Sequence, residues 1–298
     1  MAGLELVVTA EQDGRSVHSL LKYELGLSTA RMNRLKRTET GLTVNGVRVF
    51  TSAVLRTGDR LAVDLDAVER AAPVPPVPME LDILFEDEHL LILNKPAPLA
   101  VIPSSLSPGE PTLAGGLAAY LGSGSSFHPV NRLDRGTTGL LSVAKNGYIH
   151  DRLRRQLHTG AFFRQYLAVC VGAPQPAQGS IDLPIGRAPG SLILRRTSPE
   201  GQPAHTDYRS LTAAGGHSLV ELTPRTGRTH QLRVHMAAIG CPLAGDWLYG
   251  QECAAIGRPA LHAARLKLLH PVSGIELSFS APLPADMKNL LERTICPN

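Results

Sequence analysis

The sequence predicts an α+β fold in two units, and three observations carry that prediction. Residues 67–79 read AVERAAPVPPVPM, with Pro73, Pro75, Pro76 and Pro78 crowded together. Such a stretch makes a semi-rigid, polyproline-like spacer and divides the chain. Before it, a segment of helical apolar spacing precedes Leu42-Thr43-Val44, Asn45-Gly46 and Val47-Arg48-Val49, the pattern of a hairpin with a primed turn. After it, short apolar strands such as Leu90 to Asn94 and Leu140 to Ala144 are interleaved with capped helices, with no internal repeat. The expected organisation is a small N-terminal α/β module over residues 1–66, a linker over 67–79 and a larger domain over 80–298.

Composition bounds the function. A chain of 298 residues, 43% of them hydrophobic, can bury a large core. Thirty Lys and Arg against 26 Asp and Glu give a formal charge of +4, which is compatible with nucleic acid without requiring it. Cys170, Cys241, Cys253 and Cys296 have no close pairing and no C-x-x-C spacing. Free thiols in a reducing cytoplasm are expected, and a zinc site is not. The N-terminus, MAGLELVVTAEQDG, carries acids where a signal peptide carries bases, and no apolar run approaches a membrane span. A soluble cytoplasmic protein is the expectation.

Within the N-terminal module, Leu4 to Val8 reads as a strand. Ser16 to Leu25 places Val17, Leu20, Leu21 and Leu25 at helical spacing. Ser28 is a good N-cap for a second helix through Arg37, which holds Arg31, Arg34, Lys36 and Arg37 and no acid. This basic helix either presents cations to phosphates or is a solvated basic face. Tyr23 and Phe50 are the module's only aromatic residues, so shape and phosphate recognition fit it better than base stacking.

In the larger domain, Leu81 to Phe85 and Leu90 to Asn94 read as strands around the turn Glu86-Asp87-Glu88. Lys95 follows, placed either to approach phosphates or to end the strand as a solvated charge. Thr112 to Leu121 has the look of a helix of small residues. The most informative stretch is Pro129 to Lys145, PVNRLDRGTTGLLSVAK. One carboxylate, Asp134, lies between Arg132 and Arg135, ahead of the turn Gly136 to Gly139 and a buried strand. Loops held by rigid elements concentrate catalytic groups; a surface ion cluster fits these residues as well.

Asn146 caps a further helix that Gly160 closes, with Arg152, Arg154 and Arg155 on it. Arg164 to Val171 is a strand placing Tyr166, Ala168 and Cys170 on one face. In Leu222 to His235, LTPRTGRTHQLRVH, a strand ends in a loop and Thr229 is positioned to cap the next helix. Arg228 sits at that junction, within reach of a carboxylate. His230 and His235 lie about 140° apart around a helix, so they are expected as structural histidines rather than a metal pair. Glu276 to Ser280 reads as a last strand.

Five segments together resemble a known family. NRLDRGTTGLL is similar to the catalytic motif HRLDRxTSGLL of the RluA-type pseudouridine synthases, with Asn131 at the His position and Thr138 at the Ser position. LLILNKPAPLAVIPS, with Pro98 and Ile102 as departures, resembles the family's first motif. Arg164 to Val171 resembles its K-x-Y-x-A-x-V strand, and Leu222 to His235 its L-x-T-G-R-x-H-Q-I-R-V-H segment. Gly240 to Gly250 and Leu261 to Pro271 resemble its downstream segments. The basic helix with G-L-T-V-N-G and G-D-R-L also resembles an S-four-type RNA-binding module.

The resemblance implies a mixed, mainly antiparallel catalytic domain of the pseudouridine synthase type, joined to an RNA-binding module. It implies an isomerase that exchanges a carbon for a nitrogen glycosidic bond at uridine after flipping the base, with no cofactor and no metal. Asp134 is the implied catalytic carboxylate, Arg228 its partner, Arg132 the residue filling the gap left by the base, and Tyr166 a contact to uracil. Arg31, Arg34, Lys36 and Arg37 would bind RNA. The expected partner of this monomer is ribosomal RNA, with transfer RNA second. An inactive RNA-binding assembly factor on the same fold is the alternative. A sugar glycosidase would normally need two facing carboxylates, and the motifs supply only Asp134.

Overall fold

In the computed structural model, residues 3–65, 74–105, 107–122, 126–157 and 159–294 are described. The N-terminal part forms a four-stranded antiparallel sheet from β1 (Gly3–Val7), β2 (Leu42–Val44), β3 (Val47–Arg48) and β4 (Arg60–Asp64), in the order β1-β4-β2-β3. Asn45 and Gly46 turn β2 into β3 with φ of 52° and 79°, both positive as a type I′ turn requires. The Asn45 side chain secures the turn, accepting from the Arg60 amide at 2.9 Å and donating to Asp59 at 2.8 Å. The expected helix from Ser16 is a short α1 (Val17–Ser19) that runs into a π-helical turn, Leu20–Glu24. This widened turn keeps the adjacent Leu20 and Leu21 fully buried.

The basic helix is α2 (Thr29–Leu35), capped by Ser28, whose hydroxyl accepts from the Arg31 amide at 3.2 Å. It stops short of the expected Arg37, so Lys36 is its C-cap and Arg37 lies beyond it, and one of the four bases also departs from expectation. Arg31 does not face outward; it is 9% exposed, and its Nε lies 3.2 Å from Asp151 Oδ2 in the larger domain. The same oxygen accepts the Ser28 amide at 3.2 Å. A helix start leaves unpaired N–H groups, and a carboxylate there satisfies one of them along with the guanidinium. Arg34 and Arg37 are exposed and Lys36 half-buried.

Residue 66 and residues 67–73 of the expected linker, Pro73 included, lie outside the described residues. The rest of the linker is packed rather than free: the Val77 amide donates to the Gly115 carbonyl at 2.9 Å in α3 (Leu113–Leu121).

The larger domain is built on a ten-stranded sheet, mixed but mainly antiparallel. Its strands are β5 (Ile83–Glu86), β6 (Leu90–Lys95), β7 (His128–Pro129), β8 (Thr138–Ala144), β9 (Phe163–Val171), β10 (Gln178–Asp182), β13 (His205–Ala214), β14 (His217–Pro224), β15 (Leu261–Leu269) and β16 (Glu276–Ser280). The order is β10-β13-β14-β9-β15-β8-β6-β5, with β7 beside β8 and β16 beside β15. A separate two-stranded ribbon joins β11 (Ile185–Arg187) and β12 (Arg195–Thr197). Strand β8 is buried at every position and β6 from Leu90 to Leu93. Covering each such leucine is worth roughly 1.5–3 kcal/mol.

One parallel pairing, β8 with β15, brings the expected catalytic loop against the sheet centre. Gly139 makes it possible. Its φ is 106°, and a Cβ there would lie 2.3 Å from the Ala263 carbonyl oxygen, so no other residue fits.

The helices α4 (Gly147–Gln156), α5 (Gln231–Ala238) and α6 (Ala285–Thr294) follow in chain order. Asn146 caps α4 as expected, accepting from the Ile149 amide at 2.9 Å. α4 also docks the N-terminal sheet unit through Asp151 and through Arg155, which donates to the Lys22 carbonyl at 2.6 Å. Cys170, Cys241 and Cys253 are free, and Cys296 lies outside the described residues. No helix among the described residues is long and apolar enough to cross a membrane.

The Arg31–Asp151 contact gives a direct test. Asp151→Ala is expected to cost about 3 kcal/mol in denaturant unfolding, because it removes the carboxylate that meets both the buried Arg31 guanidinium and the Ser28 amide. Arg31→Met combined with Asp151→Leu should recover much of that loss. Loss values that simply add across the double-mutant cycle would contradict a coupled pair.

Candidate active site

The loop between β7 and β8 carries Asp134 to the mouth of a cleft of about 720 Å³. β9 and the loop 224–230 form other walls, together with the start of α5. Among the described lining residues there are seven arginines and a single carboxylate, Asp134. A cleft lined by one sign of charge concentrates ligands of the other, so this one suits a polyanion.

The Asp134 loop is fastened from below. Asn131, 3% exposed, accepts from the Ser142 amide at 2.9 Å and its hydroxyl at 2.8 Å, and donates to the Leu140 carbonyl at 3.2 Å. Lys95 donates to the carbonyls of Pro96, Leu99 and Arg135 at 2.7, 2.8 and 3.3 Å. It is 1% exposed, so it neither reaches phosphates nor stands in solvent. Burial, with Arg258 nearby, pulls its pKa down to about 7 against the opposing pull of Asp134. Arg258 Nη1 also donates to the Gly136 carbonyl at 3.1 Å.

The partner of Asp134 is not the residue expected. Arg228 lines the cleft, but its Nε donates to the Pro203 carbonyl at 2.9 Å. Arg233, in the first turn of α5, brings Nη1 to 3.6 Å from Asp134 Oδ2. It is fixed by a fork onto Asp246, Nε to Oδ2 and Nη2 to Oδ1, both 2.7 Å. Asp246 is fully buried. The Tyr249 ring lies 5.0 Å from the Arg233 guanidinium carbon, a cation–π distance. Burial works against the charge of Arg233, yet the hydrogen bonds and charge of Asp246, with Asp134 behind them, hold its pKa above the usual arginine value. The residues flanking Asp134 do not clamp it. Arg132 is exposed at the cleft, and Arg135 pairs with Glu110 at 3.2 Å.

Tyr166 lies in the cleft wall and is 6% exposed; burial raises its pKa. On the same face of β9, Arg164 enters the cleft lining with a buried Nε that has no hydrogen-bond partner. Arg34, Lys36 and Arg37 stand apart, on the N-terminal unit.

The start of α5 also differs from expectation. The cap position is His230 with φ 57°, not Thr229, and Gln231 secures the loop instead. Its Oε1 accepts from Thr226 Oγ1 at 2.7 Å and the Arg228 amide at 3.0 Å. His235 is structural as expected: its Nε2 donates to the Leu183 carbonyl and its Nδ1 pairs with the Thr206 hydroxyl, both at 2.9 Å. Among the described residues no cluster of three His, Cys, Asp or Glu side chains can hold a metal ion.

Sequence reasoning therefore missed Arg233, Asp246 and Tyr249. The signal lay in two arginines within TGRTHQLR and in an acid inside the apolar segment Gly240 to Gly250. Chemically, the site offers one oriented carboxylate in a cationic cleft. It lacks, among the described lining residues, the second carboxylate that glycoside hydrolysis uses.

Residues 89–238 match the family model for RNA pseudouridylate synthase. The chain is 39% identical over 271 residues to the uncharacterized RNA pseudouridine synthase YjbO of Bacillus subtilis, covering 90% of this chain and 96% of the relative. It is 38% identical to ribosomal large subunit pseudouridine synthase D of Escherichia coli K12, covering 79% and 76%. The structure of human RNA pseudouridylate synthase domain containing 4 is similar, with a TM-score of 0.57, 28% identity, and coverage of 71% of this chain and 92% of that one. With a family model over half its length and relatives this similar along most of theirs, the chain belongs to the RNA pseudouridylate synthase family.

Proposed function

We propose that this chain isomerises uridines in structured ribosomal RNA of the large subunit, with Asp134 as its catalytic group. The observation that carries this reading is the lone carboxylate among seven arginines in the described lining of the cleft. A relative named for the large ribosomal subunit supports that choice of RNA; transfer RNA is the second candidate.

A base stacked in a helix cannot reach Asp134, so the target uridine is flipped into the cleft at a cost of a few kcal/mol. Arg132, exposed at the cleft, fills the space the base leaves. Tyr166 meets the uracil. Arg233, with Nη1 at 3.6 Å from Asp134 Oδ2, orients the carboxylate, the role first assigned to Arg228. Arg228 remains a candidate contact to the RNA backbone. The product is an isomer of the substrate, with the formal reduction at C1′ balanced by oxidation at C5, so the reading calls for no external oxidant or reductant, no cofactor and no metal. On the N-terminal unit, read as an S-four-type RNA-binding module, Arg34, Lys36 and Arg37 supply phosphate contacts.

Two outcomes test this. Asp134→Asn keeps size and most hydrogen bonding but loses the charge. It should fold, bind RNA and release tritium from carbon five of labelled uridine at least about 10⁴-fold more slowly, as when a nucleophile is lost. Near-parental release would remove Asp134 from the chemistry. Replacing Arg34, Lys36 and Arg37 by glutamine should lower the slope of log K against log salt by about 2 units if each contacts a phosphate of single-stranded RNA. An unchanged slope would mean that this face does not meet RNA.

A further inference from the structure

His230 is set apart within the cleft by its backbone and its single partner. It takes the left-handed conformation, φ 57°, at the start of α5, a region that few non-glycine residues enter and that often marks a functional position. The residue is half-buried and lines the same cleft as Asp134, Tyr166 and Arg233.

The surroundings of the ring favour one tautomer. His230 Nδ1 lies 2.8 Å from Tyr249 Oη. That oxygen already accepts the Arg195 amide at 3.0 Å, and the phenol proton has no acceptor among the described residues except Nδ1. With the phenol proton paired inside the protein, Nδ1 is the acceptor, and the neutral ring then carries its hydrogen on Nε2. Nε2 has no partner among the described residues.

The surroundings keep this form. Burial is the largest influence and holds the His230 pKa below its ordinary value. Asp134 and Asp246 pull it up, while Arg233 and Arg195 push it down. Burial also raises the pKa of Tyr249, so the phenol stays protonated. The result is a neutral N–H donor, oriented by Tyr249 and unused by the protein, in a cleft with one carboxylate.

We propose that His230 donates its Nε2–H to a carbonyl oxygen of the flipped uracil as the C1′–N1 bond breaks. The proposal rests on reading the cleft as a uridine site. As that bond breaks, its electron pair leaves with N1 and spreads onto the ring carbonyls. After the ring reorients, a pair from C5 forms the C1′–C5 bond; C5 then loses a proton and N1 gains one. His230 transfers no proton and makes only a hydrogen bond. The carbonyl oxygen is more negative in the detached uracil than in uridine, so the bond strengthens on the way to the transition state and raises kcat rather than binding. A neutral donor also leaves the charge of Asp134 uncompensated by the imidazole.

The test uses single-turnover tritium release from total RNA of a strain lacking the protein, labelled at carbon five of uridine, with enzyme in excess. His230→Phe should lower the saturating rate about 100-fold, the scale of losing one such donor. The half-saturating enzyme concentration should stay within about threefold. His230→Gln, whose amide can present an N–H at similar reach, should recover at least about tenfold of that loss. His230→Asn accepts the left-handed backbone but holds its amide too far back, and should stay as slow as the Phe variant. If the Phe variant does not fold, the Gln and Asn proteins still give the comparison, with Gln expected at least about tenfold faster. A parental rate for Phe, rescue by Asn, or a change confined to half-saturation would overturn the proposal while the uridine reading stands. A parent protein that releases no tritium would overturn both.

Discussion

Everything at the site depends on where Arg233 is held. A guanidinium with 7% of its side chain exposed pays a desolvation cost that only good geometry repays. Asp246 meets it with two 2.7 Å bonds in a planar fork, the arrangement that distinguishes arginine from lysine. Asp246 in turn accepts the amides of Leu248 and Tyr249 at 3.2 and 3.3 Å, and Tyr249 lies against the guanidinium. One edge of Arg233 is thereby spent on structure. The remaining nitrogen, Nη1, faces Asp134 at 3.6 Å. The cost of burying this charge is met by Asp246, so the orientation of Asp134 does not have to supply it.

The sheet delivers the second half of that contact. Asp134 approaches Arg233 because β8 and β15 run side by side, which requires the bare backbone of Gly139. Lys95, Asn131 and Arg258 tie the loop carbonyls and β8 into one frame. Arg233 arrives from the other wall, on α5. The cleft therefore lies between two rigid assemblies, each fastened by buried polar groups that are satisfied within the protein. Such support is what holds a reacting group to within the fraction of an ångström that chemistry needs.

Much of this was legible in the sequence, and the failures have a common cause. The strands β6, β8, β9 and β16 follow from apolar runs and alternation, and the caps at Ser28 and Asn146 from their side-chain chemistry. Asp134 stood out through its Gly/Thr loop, and Tyr166 through its strand. What spacing does not show is the direction of a long side chain. Arg228 and Arg233 are five residues apart, and both are within reach of a carboxylate on paper. The loop turns Arg228 toward Pro203, whereas α5 turns Arg233 inward. Arg31 was taken for a solvent-facing base because its acidic partner, Asp151, is 120 residues away. Lys95 was read as a charge at a strand end, although three backbone carbonyls converge there from separate turns of chain. Asp246 and Tyr249 act only through tertiary contact and carry no local pattern.

The central claim is that the fork of Arg233, and not its charge alone, orients Asp134. Arg233→Lys separates the two, since lysine keeps the charge but cannot hold Asp246 in a planar pair and still reach Asp134. The direct measurement is its single-turnover rate of tritium release from uridine in RNA, in a protein whose melting shows it folded. The account expects a fall of about 100-fold, the scale of misplacing a reacting group by about 1 Å. A rate equal to the parent's would contradict it.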